Sequence, residues 1–371
     1  KLDLGRLGWV NAHWDKIVQG YPYASLASSR LTAQIREQTA TATPAVRADW
    51  LAHATTATPL YAQLLGLPGR MANLQRILNV DIEADIASAK ARRTGLTQSA
   101  VVRGHRLVER HPTRSGSLWL AYDFATGEGR QNLLAHPLGP TASGHVKVPF
   151  KHDATRAMFT LPNGFIAFSQ NDSRGDRLDA TPDGVERDDV AWMGATTQIA
   201  GCIACHRSGP VPVVDQVRAA IEADAAAPKE VREAVAALYA PGSEIEGLVG
   251  EDRQRYADAQ AKAGIDPALV FNGLEPVTAL AREYTRAVNL TRLAAESGLA
   301  LPELARRLTM LPAELRYAAI KVQATAVPRA EADRLLIRLA PDAGDGKEGR
   351  SVQRKAVLGL GIFRAGELEK A

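Results

Sequence analysis

The sequence predicts an α+β protein, predominantly helical, with a small antiparallel sheet in its middle. Three observations carry that expectation. Apolar residues recur at helical spacing toward both ends. Short runs rich in aromatic and branched residues occupy positions 101–200, and one of them folds back through Pro162-Asn163-Gly164.

Near the N-terminus, "VRADWLAHATTATPLYAQLLGL" and "MANLQRILNVDIEADIASAKARR" follow the helical period, so residues 1–100 read as a helical region. The Thr- and Ala-rich "ASSRLTAQIREQTATATPAV" reads as a loop within it. Between 101 and 200, "SLWLAYDF", "HVKVPF" and "AMFTLPNGFIAFSQ" read as a small β region. The last predicts a hairpin, with strands over 158–161 and 165–170. From about 211 the helical pattern returns. Asp215 is placed to cap "DQVRAAIEADAAA", and Pro228 opens "PKEVREAVAALYA". Residues 201–330 form a helical region that carries a cysteine motif at the sheet-to-helix transition. Residues 331–371, Gly-rich toward their end, read as a peripheral tail.

Charge narrows the partners. Lys and Arg number 45 against 41 Asp and Glu, and a net +4 over 371 residues is too small an excess to argue for nucleic acid. No apolar run approaches the roughly 20 residues that a membrane-crossing helix needs, so no transmembrane segment is expected. The densest basic run holds Arg92, Arg93, Arg103, Arg106, Arg110 and Arg114, with His105 and His111 among them. It reads as a solvated face; the alternative is a docking surface for an acidic partner or for the carboxylates of a bound cofactor. The acids of "NDSRGDRLDATPDGVERDD" lack the alternating spacing of a calcium hand, so no metal is assigned there. The chain begins at Lys1, without methionine or a signal-type segment, and reads as a processed form from which any export signal has been removed.

The sharpest signal is "GCIACHRSGP". Cys202 and Cys205 are the only cysteines of the chain, and His206 follows the second directly. Three chemistries use this spacing. A redox dithiol wants a low-pKa thiolate at a helix N-terminus after a buried strand, and "TTQIAG" and "RSGPVP" do not supply that setting. Structural zinc wants four ligands, and no second cysteine pair exists. Covalent haem attachment uses C-x-x-C-H itself: two thioethers fix one porphyrin edge and the histidine ligates iron. One haem c is therefore expected on Cys202 and Cys205, with His206 as proximal ligand. The second ring nitrogen of His206 needs an acceptor, expected among the carbonyls of residues 208–210.

Beyond the motif, the chain resembles a family of large, secreted, single-haem bacterial proteins within the c-type cytochromes. The likeness is carried by "VRADWLAHATTATPLYAQLLGLP", "RLVERH", "YDFATGEGRQNLLAHPLGP", "LPNGFIAF", "GDRLD" and "GCIACH", which together span about residues 1–300. The compact fold of short soluble cytochromes is not evident. The resemblance implies a periplasmic or extracellular protein of an exporting bacterium, but no activity common to the family.

Function then turns on the sixth iron position. Met193, Met310, His136 and His152 are the candidate distal ligands. Arg130 is a candidate partner for a haem propionate, within a polar cluster formed by Tyr122, Asp123, Arg130, Gln131 and Asn132. A closed iron gives an electron carrier with a redox partner protein, the leading expectation. An open iron lined by the 122–136 segment gives a haem enzyme, peroxidase- or oxygenase-like.

Overall fold

A computed structural model describes residues 46–142, 146–187, 198–271 and 273–339, together with residues 14, 16–18, 20–22 and 37. The fold is α+β, with a five-stranded antiparallel sheet in the middle of the chain and helices on either side of it in sequence. Chain contacts group it into two compact units, Lys1–Thr56 with Val277–Ala371 and Ala57–Pro276.

The first unit is helical. It holds α1 (Ala48–Thr56) and a later series whose apolar stripes bury Leu293, Leu304, Val322 and Leu335. Gly298, in the left-handed region at φ 67°, ends one helix of that series, as helix termini favour. Within this unit Arg329 and Glu296 form a buried ion pair of 2.6 Å.

The second unit opens with three short helices, α2 (Leu60–Leu65), α3 (Met71–Leu78) and α4 (Ile82–Ala87). The sheet follows: β1 (Arg92–Leu96), β2 (Arg106–Thr113), β3 (Gly116–Asp123), β4 (Ala154–Thr160) and β5 (Ile166–Asp172), paired in sequence order. The expected hairpin forms between β4 and β5. Leu161 N–H donates to the Phe165 carbonyl at 2.7 Å, and Gly164 takes φ 86°, a value glycine tolerates in a tight turn. After the sheet come α5 (Gln198–Cys205), α6 (Arg218–Ala223), α7 (Lys229–Leu238) and α8 (Gly242–Lys262). Asp215 accepts from the Arg218 N–H at 2.7 Å, and Pro228 directly precedes α7, as the sequence pattern expects.

Strand alternation gives the sheet two unlike faces. Leu107, Leu118, Leu120, Tyr122, Ala157, Phe159 and Ala167 join one core with residues of α3, α4 and α7. The other face carries Trp119, Met158 and Phe168 and packs on Ile199 of α5 and on Ile245 and Val249 of α8. Asp252 of α8 accepts from the Trp119 indole at 2.9 Å and pairs Arg110 at 2.9 Å, which docks α8 on this face.

Three local expectations are corrected here. The basic run is a solvated face only in part: Arg103 and Arg114 are exposed, but Arg93 and His111 have no exposed surface and Arg110 is buried. These last three lie on β1 and β2, where tertiary pairing supplies each with a carboxylate: Glu109 for Arg93, Asp252 for Arg110, and Asp85 with Glu109 for His111. β1 falls where the periodicity reads helix, because its residues complete a ladder with β2, from Arg92↔Arg110 to Leu96↔Arg106. The described part of "HVKVPF" forms no strand; Phe150 instead buries its ring beside Tyr122 and Phe124.

Candidate haem-attachment site

Cys202 and Cys205 lie on α5, and the His206 N–H donates to the Cys202 carbonyl at 2.9 Å, so the helical turn extends through the histidine. At about 100° per residue, positions i, i+3 and i+4 of a helix share one face. Two thiols and one imidazole are therefore displayed together. Both thiols are free.

The imidazole is oriented from behind. His206 Nδ1 lies 3.1 Å from the Gly209 carbonyl, within the stretch expected to supply the acceptor. This leaves Nε2 as the nitrogen that a metal would use. The segment carrying that carbonyl is gripped by α8: Arg253 Nε donates to the Pro210 carbonyl at 2.7 Å, and Gln260 Nε2 to that of Arg207 at 3.1 Å. Gly209 has φ 92°, and a Cβ there would stand 3.2 Å from Arg253 Cγ. Conformation and space both call for glycine. The Phe168 ring, 5.7 Å from that of His206, supports the histidine from the sheet, and Phe168 N–H donates to the Tyr61 hydroxyl at 2.9 Å.

The electrostatics suit a neutral ligand set. Desolvation pushes the Cys202 thiol up to about 11, against the pull of Arg156. Burial likewise raises Cys205. Desolvation lowers His206; the bond to Gly209 opposes this, and Arg106 and Arg253 add to it. Both cysteines thus remain thiols near neutral pH and the imidazole remains unprotonated, as a metal ligand must be. Cys205 is the last residue of α5, at the negative end of the helix dipole. That is the reverse of the helix N-terminal setting that activates a redox dithiol. Among the described residues no cluster of three or more His, Cys, Asp or Glu could hold a metal ion, so zinc finds no ligand set there.

Beside the motif on the same sheet face lies an ionic string. Register puts Val108, Ala121, Arg156 and Gln170 in one row and Arg110, Trp119, Met158 and Phe168 in the next. Arg106 pairs with Asp123 at 2.6 Å, Arg156 meets the other oxygen of Asp123 at 2.9 Å, and Arg156 also pairs with Glu186 at 2.8 Å.

The remaining candidates are dispersed. His152 is buried with its ring edge-on to Tyr122 at 5.0 Å, and burial pushes it down to about 4 against the pull of Asp153, Asp123 and Asp172. His136 is half-buried, its N–H donating to the Asn132 carbonyl at 2.8 Å. Among the described residues no hydrogen bond or ring contact joins either histidine to the motif. Met193 lies outside the described residues. Met310 belongs to the other unit, where it is 70% exposed with its sulfur 3.3 Å from Arg306. Arg130 donates to the Pro149 carbonyl at 2.9 Å. Gln131 and Asn132 bond local backbone N–H groups, and Tyr122 donates to Glu109 on the opposite sheet face. Two acids of the polar loop are paired, Asp172 with nearby Arg174 and Asp176 with Arg70, far off in sequence.

Sequence reasoning missed Arg156, Arg253 and Gln260. The period-2 alternation of β2, β3 and β4 is the signal that groups Arg106, Asp123 and Arg156, and it becomes readable once the register is known. No protein family, curated protein or solved structure matches the chain. Among the described residues no helix is long and apolar enough to cross a membrane.

Proposed function

We propose that this chain is a single-haem c-type cytochrome that carries one electron to or from a redox partner protein in the periplasm or at the cell surface, as the resemblance to secreted single-haem proteins implies. Cys202 and Cys205 are the covalent anchors and His206 is the proximal iron ligand. The observation that supports this most is the shared helix face of the three residues, with His206 Nδ1 already engaged by Gly209.

Cys202 and Cys205 would hold the haem as thioethers, each thiol exchanging its S–H bond for an S–C bond at one vinyl group, whose second carbon would take the hydrogen. The addition needs no oxidant. It does need the S–H form, which burial maintains at both cysteines. Haem, when bound, supplies the one-electron couple of iron. The chain supplies the rest. Gly209 and α8 fix the imidazole, Phe168 and Trp119 exclude water from the helix packing, and the motif sits at the transition from sheet to helix.

The test is expression in a host competent for haem c maturation, followed by pyridine haemochrome analysis. One thioether-linked haem per chain is expected, and loss of both linkages in Cys202→Ser/Cys205→Ser. Carbon monoxide added to the reduced protein decides between carrier and haem enzyme. An unchanged low-spin spectrum fits the carrier, and a rapid Soret shift fits an open iron site.

A further inference from the structure

We infer that Arg106 and Arg156 are the propionate-binding edge of the proposed haem site, with Asp123 as the residue that positions both guanidinium groups. The inference rests on the haem reading above.

Both arginines are fixed by the same buried carboxylate. Arg106 meets Asp123 through Nε at 2.6 Å and Nη2 at 3.0 Å, while Arg156 meets its second oxygen at 2.9 Å. Glu186 takes Nη2 of Arg156 at 2.8 Å. Among the described residues Nη1 of each guanidinium makes no hydrogen bond. The side chains are 13% and 22% exposed, so those edges are largely removed from bulk water yet reachable. Partly desolvated guanidinium N–H groups without an acceptor are costly, and a carboxylate is the acceptor their fork geometry matches.

Placement supplies the rest. Arg156 and Met158 point to one face of β4, and Met158 pairs with Phe168, the residue whose ring meets His206. Gln170 stands opposite Arg156, and Asp172 ends the neighbouring row. A porphyrin attached at Cys202 and Cys205 brings exactly one pair of carboxylates. Arg130, by contrast, spends its Nε on the Pro149 carbonyl.

The experiment uses the haem-loaded protein and its Arg106→Gln, Arg156→Gln and Glu186→Gln variants, with covalent haem content and reduction midpoint measured between roughly pH 5 and 8. A cation beside the porphyrin favours the reduced, less positive iron, so each arginine variant is expected to keep its haem and show a lower midpoint. Glu186→Gln removes a negative charge and is expected to raise the midpoint. Arginine variants with intact haem and a midpoint profile superimposable on the parent overturn the inference. Should they fail to fold, an unchanged midpoint in Glu186→Gln overturns it instead. A parent protein lacking covalent haem is a different failure, which removes the haem reading itself.

Discussion

The two faces of the central sheet both hold arginine–carboxylate clusters, and they differ in how completely each cluster closes on itself. On the core face, Glu109 accepts from Arg93 at 2.6 Å, from Tyr122 at 2.9 Å and meets His111 at 2.9 Å, while the other nitrogen of His111 meets Asp85 at 3.1 Å. Both oxygens of Glu109 are used internally there, and Arg93, Glu109 and His111 are shut off from water, with Asp85 partly exposed. On the opposite face Asp123 is just as buried, but among the described residues Nη1 of both arginines it holds makes no hydrogen bond. A closed network specifies a core; an open one leaves room for a ligand carboxylate.

The largest effect is expected on the closed side. Glu109→Gln leaves the Arg93 cation buried without its counter-ion and is expected to cost about 3–5 kcal/mol, read as a fall in thermal midpoint. Folding holds the Glu109 carboxyl down to about 2, from an ordinary 4.5, through Arg93 and His111 acting against desolvation. Its contribution is complete above the unfolded carboxylate range and fades as pH falls toward about 2. His111 is held above its ordinary 6.5 by Glu109 and Asp85 against desolvation, so its contribution has the opposite sense. It is complete below the unfolded histidine range and is lost as pH rises through the raised value. Denaturant titrations across pH are expected to show both arms in the parent protein, and the alkaline arm flattened in His111→Gln.

On the open side, Gly209→Ala is expected to cost about 1–2 kcal/mol for its left-handed backbone. It also displaces the Gly209 carbonyl from His206, so a weakened low-spin spectrum is expected in the haem-loaded variant. The smallest effect belongs to Arg130→Gln, an exposed residue whose side chain bonds the Pro149 carbonyl and neither cluster. Stability within about 0.5 kcal/mol of the parent and unchanged haem content are expected. A large loss there would blur the contrast between the faces.

Much of this arrangement was legible in the sequence, and the gaps have physical causes. The 158–170 hairpin was readable because Pro-Asn-Gly is local turn chemistry flanked by strand residues. Asp215 and Pro228 were readable for the same reason, since capping acts within a few residues. The buried fate of Arg93, Arg110 and His111 was not, because Asp85, Glu109 and Asp252 come to them through sheet register and helix docking. A run of arginines looks solvated until those partners are placed. Cys202, Cys205 and His206 were readable as a spacing, and the acceptor for His206 was expected within three residues of sequence. The Arg106–Asp123–Arg156 string spans three strands, so no local pattern announces it. Nothing in the sequence pattern joins residues 1–56 with those after 276, because that grouping depends on contacts far apart along the chain.

The central claim is that both cysteine sulfurs of the chain anchor one porphyrin. Its most direct test is the intact mass of the denatured polypeptide, purified from a host that installs haem c and treated with a thiol-alkylating reagent. The account predicts a chain heavier by one haem, with no alkylated cysteine and a Soret band that stays with the protein in acid acetone. A chain of bare polypeptide mass carrying two alkyl groups, or one lighter by two hydrogens through a Cys202–Cys205 disulfide, contradicts it.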